Sequence, residues 1–170
     1  GTQDEKTFDI NQKILSPGYV NLIKRDCGKI VFTNGCFDVL HKGHIDYLKK
    51  AKKLGDILVV GINSDDSIKR IKGEMRPINS LDARLMILES LSMIDYLIPF
   101  DEDNPMNLIN SLRPDILVKG SDYKVEEIVG YDLVKSYGGE VKTIDILEGY
   151  STTKIIKKMK NAMWKKMDKI

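Results

Sequence analysis

Five short apolar segments recur along this chain with helical patterns between them: Ile30–Thr33, Ile57–Ile62, Tyr96–Pro99, Ile116–Val118 and Val141–Ile146. Runs this short, apolar without alternation, suit strands covered on both faces, and such strands alternate with helices in parallel sheets. The pattern predicts an α/β chain built on a five-stranded parallel sheet, with helices on both faces and right-handed crossovers. One helix follows Ser80 as its N-cap, with Leu81, Leu85, Leu88 and Leu91 as an apolar stripe. Another is expected to start at Asn104-Pro105, with the proline in the first helical position. A third is expected over 125–137, stopping at Gly138-Gly139, and the last begins at Ser151-Thr152-Thr153. The polar, weakly periodic residues 1–16 read as an arm or linker before a single domain over 17–170. Gly1-Thr2 resembles a cut end, so a longer natural chain is expected on that side.

Ligands of such sheets sit beyond the carboxyl ends of the strands. That rule gathers four segments around one crevice. The first is His41-Lys42-Gly43-His44, which holds both histidines of the chain and opens the helix after the first strand. Two imidazoles three residues apart share one helical face, Gly43 permits close approach, and a helix start favours anions. A triphosphate held by both rings and by free backbone amides is the expected ligand. A plain pair of surface or capping histidines is the bland alternative. Zinc is the weaker option, because no third histidine exists and Cys27 and Cys36 are poorly placed.

The second segment, Asn63 to Pro77, ends in cations: Lys72 and Arg76 could neutralise phosphate oxygens, with Arg84 as a third. A solvated basic loop is the alternative. In the third segment, Gly149-Tyr150-Ser151-Thr152-Thr153, a Ser N-cap explains one hydroxyl but not three in a row, so a second phosphate cradle is expected. The fourth, Val118-Lys119-Gly120-Ser121-Asp122-Tyr123, offers a glycine where a base or sugar could approach, or a simple turn.

Composition narrows the class. Over 170 residues, 42% are hydrophobic and 31% charged, as in an ordinary globular domain. A net charge of +2 gives no reason to expect nucleic acid as a partner. Two cysteines without metal-site spacing point to free thiols in a reducing, cytoplasmic compartment. Apolar runs are strand-sized and no signal peptide is visible, so no membrane partner is expected. The lysine-rich last helix, with Ile155, Ile156, Met159, Met163 and Met167, is expected to pack on the sheet or on a second subunit.

The run Asn34-Gly35-Cys36-Phe37-Asp38-Val39-Leu40-His41-Lys42-Gly43-His44 resembles the signature of the cytidylyltransferase-like nucleotidyltransferases, and Ser151-Thr152-Thr153 resembles their second signature. Asn63-Ser64-Asp65, Lys69 to Gly73 with Arg76-Pro77, and Leu117 to Tyr123 with Glu126-Glu127-Ile128 are most similar to the bacterial heptose 1-phosphate adenylyltransferase branch. The resemblance runs from about Lys29 to Lys158. It implies a Rossmann-like nucleotidyltransferase fold and transfer of AMP from ATP to D-glycero-β-D-manno-heptose 1-phosphate. The products would be ADP-heptose and pyrophosphate, for lipopolysaccharide precursors. It also implies Mg²⁺ brought with the nucleotide rather than a protein metal site, a homo-oligomer such as a dimer, and a fused or paired sugar kinase.

The residue roles that follow are these. His41, His44 and Lys72 are catalytic. Asn34, Gly35, Cys36, Phe37, Gly43, Asn63, Lys119, Gly120, Gly149, Tyr150, Ser151 and Thr152 bind nucleotide. Asp38, Arg76, Arg84 and Asp122 bind the second substrate. Ile146 stands where glycerol-phosphate cytidylyltransferases carry an arginine, which favours ATP over CTP. The alternatives are a cytidylyltransferase acting on glycerol 3-phosphate or a related small phosphate, and a non-catalytic nucleotide-binding module.

Overall fold

The structure, a computed structural model, describes residues 12–23, 25 and 28–167; Cys27 and most of the expected arm lie outside them. Five strands, β1 (Ile30–Gly35), β2 (Ile57–Asn63), β3 (Tyr96–Phe100), β4 (Ile116–Gly120) and β5 (Glu140–Ile144), form one sheet in the order β3-β2-β1-β4-β5. Every pairing is parallel, with Phe32 opposite Val59 and also opposite Leu117. The chain winds outward from β1 through β2 to β3, then crosses to β4 and β5. The direction therefore reverses between β1 and β4, and a crevice opens beyond their carboxyl ends.

Strand residues alternate between two cores, as a pleated sheet requires. Ile30, Phe32, Val59, Ile98 and Leu117 face one side, where α4 (Met106–Leu112) contributes Leu108, Ile109 and Leu112 and α5 (Tyr131–Ser136) contributes Val134. Val31, Leu58, Val60, Leu97 and Val118 face the other, against Leu48 and Ala51 of α1 (Lys42–Lys52) and Leu85 and Leu88 of α3 (Leu81–Glu89). Helix α2 (Asp65–Lys72) buries Ser67 and Ile68 beyond the end of β2. Helix α6 (Thr152–Met167) has no fully buried residue.

Several expectations change in detail. The helix expected over 125–137 is broken into a 3-10 turn (Val125–Glu127) and α5, with Gly130 between them at φ 94°. A side chain at Gly130 would meet Ile109 at 2.8 Å, and the break lets Ile128 enter the core. Helix α4 begins one residue after Pro105, whose neighbour Asn104 accepts from the Met106 amide at 3.0 Å. Strand β5 stops at Ile144, which leaves Ile146 free for the crevice wall. Residues 13–16, expected in the arm, lie along the edge of β3. The Leu15 amide donates to Leu97 O at 2.9 Å, and the Lys13 ammonium donates to Glu89 O and Leu91 O. Sheet packing of the last helix is corrected for its far part: Met159, Met163, Trp164 and Met167 are all exposed, while Ile155 and Ile156 are half-buried.

Candidate active site

A cavity of about 540 Å³ occupies the crevice, a size suited to a nucleotide and a small partner. Its floor is the turn from β1 into α1. Phe37 adopts φ 48° there, and its ring rests 5.2 Å from that of His44. His41 is the N-cap of α1: its Nδ1 accepts from the Gly43 amide at 3.0 Å, while His44 Nδ1 accepts from the His41 amide at 3.2 Å. The two rings stack at 3.8 Å. This reciprocal arrangement corrects the expectation of free backbone amides, since the Gly43 amide already has a partner. Capping and ligand binding turn out to be compatible. A neutral ring that accepts at Nδ1 carries its proton on Nε2, so each histidine keeps one donor for the cavity it lines. Burial depresses the pKa of His41. Burial, and then the neighbouring His41, depress that of His44 to about 4. At neutral pH both rings are uncharged donors.

Gly43 is required by packing. A Cβ there would come within 2.8 Å of the His41 ring and 3.1 Å of Tyr150. Tyr150 stands over His41, with ring centroids 6.3 Å apart, and brings the start of α6 to the cavity. Ser151 Oγ accepts from the Lys154 amide at 3.0 Å, so its proton remains available. Thr152 is different: its hydroxyl donates to Val39 O at 3.1 Å, tying α6 to the β1–α1 turn rather than offering a proton to phosphate. Gly149, at φ 82°, shapes the preceding turn and stays off the cavity wall.

Lys72 ends α2 and lines the cavity, its ammonium without a partner among the described residues. Arg76 follows in the loop to α3. Its Nε is 2.7 Å from Asp38 Oδ2, and its terminal nitrogens have no partner among the described residues. Asp38, expected to touch substrate, is fully engaged within the protein. Its carboxylate also accepts from the amides of Ile78 and Asn79. Burial alone would raise its pKa, but those amides and the guanidinium hold it below the usual carboxylate range. Arg84 is corrected in the same way. It is 0% exposed and donates to Cys36 O, Asn63 O, Asn79 O and Asp65, so it cannot meet a phosphate.

The remaining wall comes from β4 and β5. Lys119 donates to Asn34 O at 3.0 Å, and burial lowers its pKa to about 8 against the opposite pull of Cys36 and Asp122. The Cβ position at Gly120 is already crowded by Ile146 and Asp122, so that glycine serves close packing within the wall. Asn63 also lines the cavity, but its amide nitrogen donates to Ser67 Oγ at 3.1 Å. The Asn34 Oδ1 atom is buried without a partner among the described residues, and burial raises the pKa of the Cys36 thiol. Sequence reasoning missed Tyr47, Val129 and Asp103 to Pro105 as wall residues. The last three follow the end of β3, a strand end that the four expected segments did not include. Tyr47 lies one helical turn beyond His44, and its hydroxyl meets Thr33 Oγ1 at 2.7 Å.

Comparison with known proteins agrees with this architecture. The cytidylyltransferase-like family model matches residues 32–158. A protein of Campylobacter concisus named "Bifunctional protein HldE" is 60% identical over 134 residues, which is 79% of this chain and 28% of the relative. The protein of that name in Marinomonas sp. is 51% identical over 158 residues, 91% of this chain and 33% of its own length. The chain thus spans about a third or less of these relatives. The crystal structure of the lipopolysaccharide core biosynthesis protein from Thermoplasma volcanium GSS1 matches with a TM-score of 0.59 at 36% identity, covering 73% of this chain and 99% of that one. Pantoate-beta-alanine ligase from Francisella tularensis, with a TM-score of 0.56 at 19% identity over 85% of this chain and 75% of that one, shares the fold. With the family model covering strands, switch point and both helix starts, the chain belongs to the cytidylyltransferase-like family.

Proposed function

We propose that this chain transfers AMP from ATP to D-glycero-β-D-manno-heptose 1-phosphate, forming ADP-heptose and releasing pyrophosphate. The observation that carries the reading is the His41–His44 pair, two neutral rings fixed by their own helix cap in a cavity that Lys72, Arg76 and Lys119 also line. The acceptor phosphate is already dianionic, so the site needs alignment and charge stabilisation rather than a strong base. One acceptor oxygen bonds the α-phosphorus as the bond to the β-phosphate oxygen breaks. The Nε2 protons of His41 and His44 and the Ser151 hydroxyl would hold the polyphosphate as charge moves onto the leaving group. Lys72 would meet the α-phosphate, and the free end of Arg76 the acceptor phosphate.

A divalent cation would ride on the triphosphate and supply charge neutralisation. Asp38 is engaged within the protein and Asp103 pairs with Arg70, so Asp122 and Glu127 in the cavity wall would accept from such an ion's water shell. Ile146 presents an apolar wall where a guanidinium could have read cytosine, which supports ATP. The word bifunctional in the name of the longer relatives supports a second activity beside this one, and the sugar kinase implied by the family resemblance would supply it. A dimer and a cytoplasmic location belong to the same reading.

Pyrophosphate release with ATP or CTP against a panel of phosphorylated acceptors tests it. ATP with heptose 1-phosphate should be the fastest pair. A CTP preference with glycerol 3-phosphate would move the chain to the cytidylyltransferase branch. ATP binding without release on any acceptor would make it a binding module.

A further inference from the structure

We infer that Arg84 is a positioning residue that sets the cavity cations Lys72 and Arg76 against the histidine turn. Four of its five N–H donors are engaged, and they reach three different segments of the site. One terminal nitrogen, NH1, donates to Cys36 O at 2.9 Å in the turn before His41, and to Asn63 O at 2.7 Å at the end of β2. NH2 pairs at 2.7 Å with Asp65, the first residue of the helix that ends in Lys72. Nε donates at 3.1 Å to Asn79 O. Asn79 is itself fastened to Asp38, by its amide to the carboxylate at 2.8 Å and by its side chain to the backbone carbonyl at 2.6 Å. Asp38 holds Arg76.

The chain of contacts therefore runs from one buried guanidinium to Lys72 and Arg76, two of the cations that line the cavity. The loop between Lys72 and Asn79 has little regular structure of its own, so these ties fix where Arg76 stands. Burying an arginine is costly, and a well-packed apolar side chain would do as well for stability alone. A lysine cannot serve four acceptors in three directions from one ammonium. The role rests on the proposed reaction, in which Lys72 and Arg76 meet phosphates.

The test is a double-mutant cycle on the full chain, with Arg84→Lys and Arg76→Met alone and combined. Heptose 1-phosphate turnover, ATP affinity and thermal midpoint are read for each. Arg84→Lys should lower kcat/KM for the sugar phosphate by about 10²-fold, the scale of a misplaced catalytic group, with ATP affinity little changed. In the Arg76→Met background the same change should cost less, because one of the two groups it positions is gone and only the Lys72 share of the loss remains. An equal loss in both backgrounds, or ATP affinity falling in parallel, would make Arg84 merely structural and overturn the proposal. Should Arg84→Lys not fold, Asp65→Asn with Lys72→Met repeats the cycle, since the Asp65 side chain is 40% exposed. If the wild type releases no pyrophosphate with any acceptor, the reaction reading fails. Titration of inorganic phosphate, a probe for the free end of Arg76, into the same four proteins then decides the positioning role by the same non-additivity.

Discussion

Two helices begin at the cavity, α1 at His41 and α6 at Ser151, and they are held in opposite ways. The start of α1 is a reciprocal cap, and the helix behind it buries Gly43, Leu48 and Ala51 against the sheet. The start of α6 rests on one Ser151 cap, the Thr152–Val39 hydrogen bond and the Tyr150 ring beside His41, and the helix behind it has no fully buried residue. Donors on α1 are in place before any ligand arrives. Those on α6 are tethered at a few points and have no packed body to resist displacement. On the proposed reaction, that difference would give transition-state stabilisation to the first helix start and ligand retention to the second.

The largest effect should come from the fixed side. His44→Ala is expected to lower kcat by about 10²-fold or more, the scale of losing one preorganised donor, with a smaller change in ATP affinity. Steady-state kinetics with a parallel ATP titration reads both numbers. An effect confined to KM would erase the contrast between the two helices.

Gly43→Ala strikes the place where they meet, because its methyl group would press on the His41 ring and on Tyr150. About a tenfold loss of kcat/KM, drawn from both kcat and KM, is expected from so small a displacement. Unchanged kinetics would show that α6 moves aside freely. Thr152→Val removes only the bond to Val39 O. It should raise KM for ATP about fivefold, the worth of one net hydrogen bond, and leave kcat nearly intact. A kcat loss equal to that of His44→Ala would make the two helix starts equivalent.

The smallest effect concerns pH. His44 titrates near 4 in the folded chain and near 6.5 when unfolded. Below 6.5 the unfolded chain takes up a proton that the folded chain refuses. This contribution to stability is therefore complete above pH 6.5 and is lost as pH falls toward 4. His44→Gln should flatten the denaturation midpoint over that window. A variant that keeps the wild-type slope would place the titrating group elsewhere.

The parallel sheet was legible because Val, Ile and Leu runs such as Ile57–Ile62 have one comfortable home, a strand covered on both faces. The crevice was legible because strand ends gather in such sheets, and the motif spacing carried the family resemblance. Hydrogen-bond direction was not. Nothing in His41-Lys42-Gly43-His44 says that each ring turns Nδ1 to a backbone amide. Nor does the row of three hydroxyls reveal that Thr152 serves Val39. Arg84 looked like a third phosphate cation, although a signal was present: it falls between Leu81, Leu85 and Leu88 on the stripe that faces the sheet. A cation in that register is buried, and it needs acceptors from the chain itself. The break at Gly130 escaped because helical periodicity continues across it, while the crowding by Ile109 that demands it is tertiary.

His41 and His44 stand preformed and, at neutral pH, uncharged in the free chain. Because the chain holds only two histidines, a nitrogen-15 spectrum of labelled imidazoles reads both rings without overlap. At pH 7 and without nucleotide, both rings should be neutral with the proton on Nε2, and His44 should titrate near 4. A proton on Nδ1 of either ring, a charged ring at pH 7, or ordinary titration of His44 near 6.5 would contradict that preformed, uncharged state.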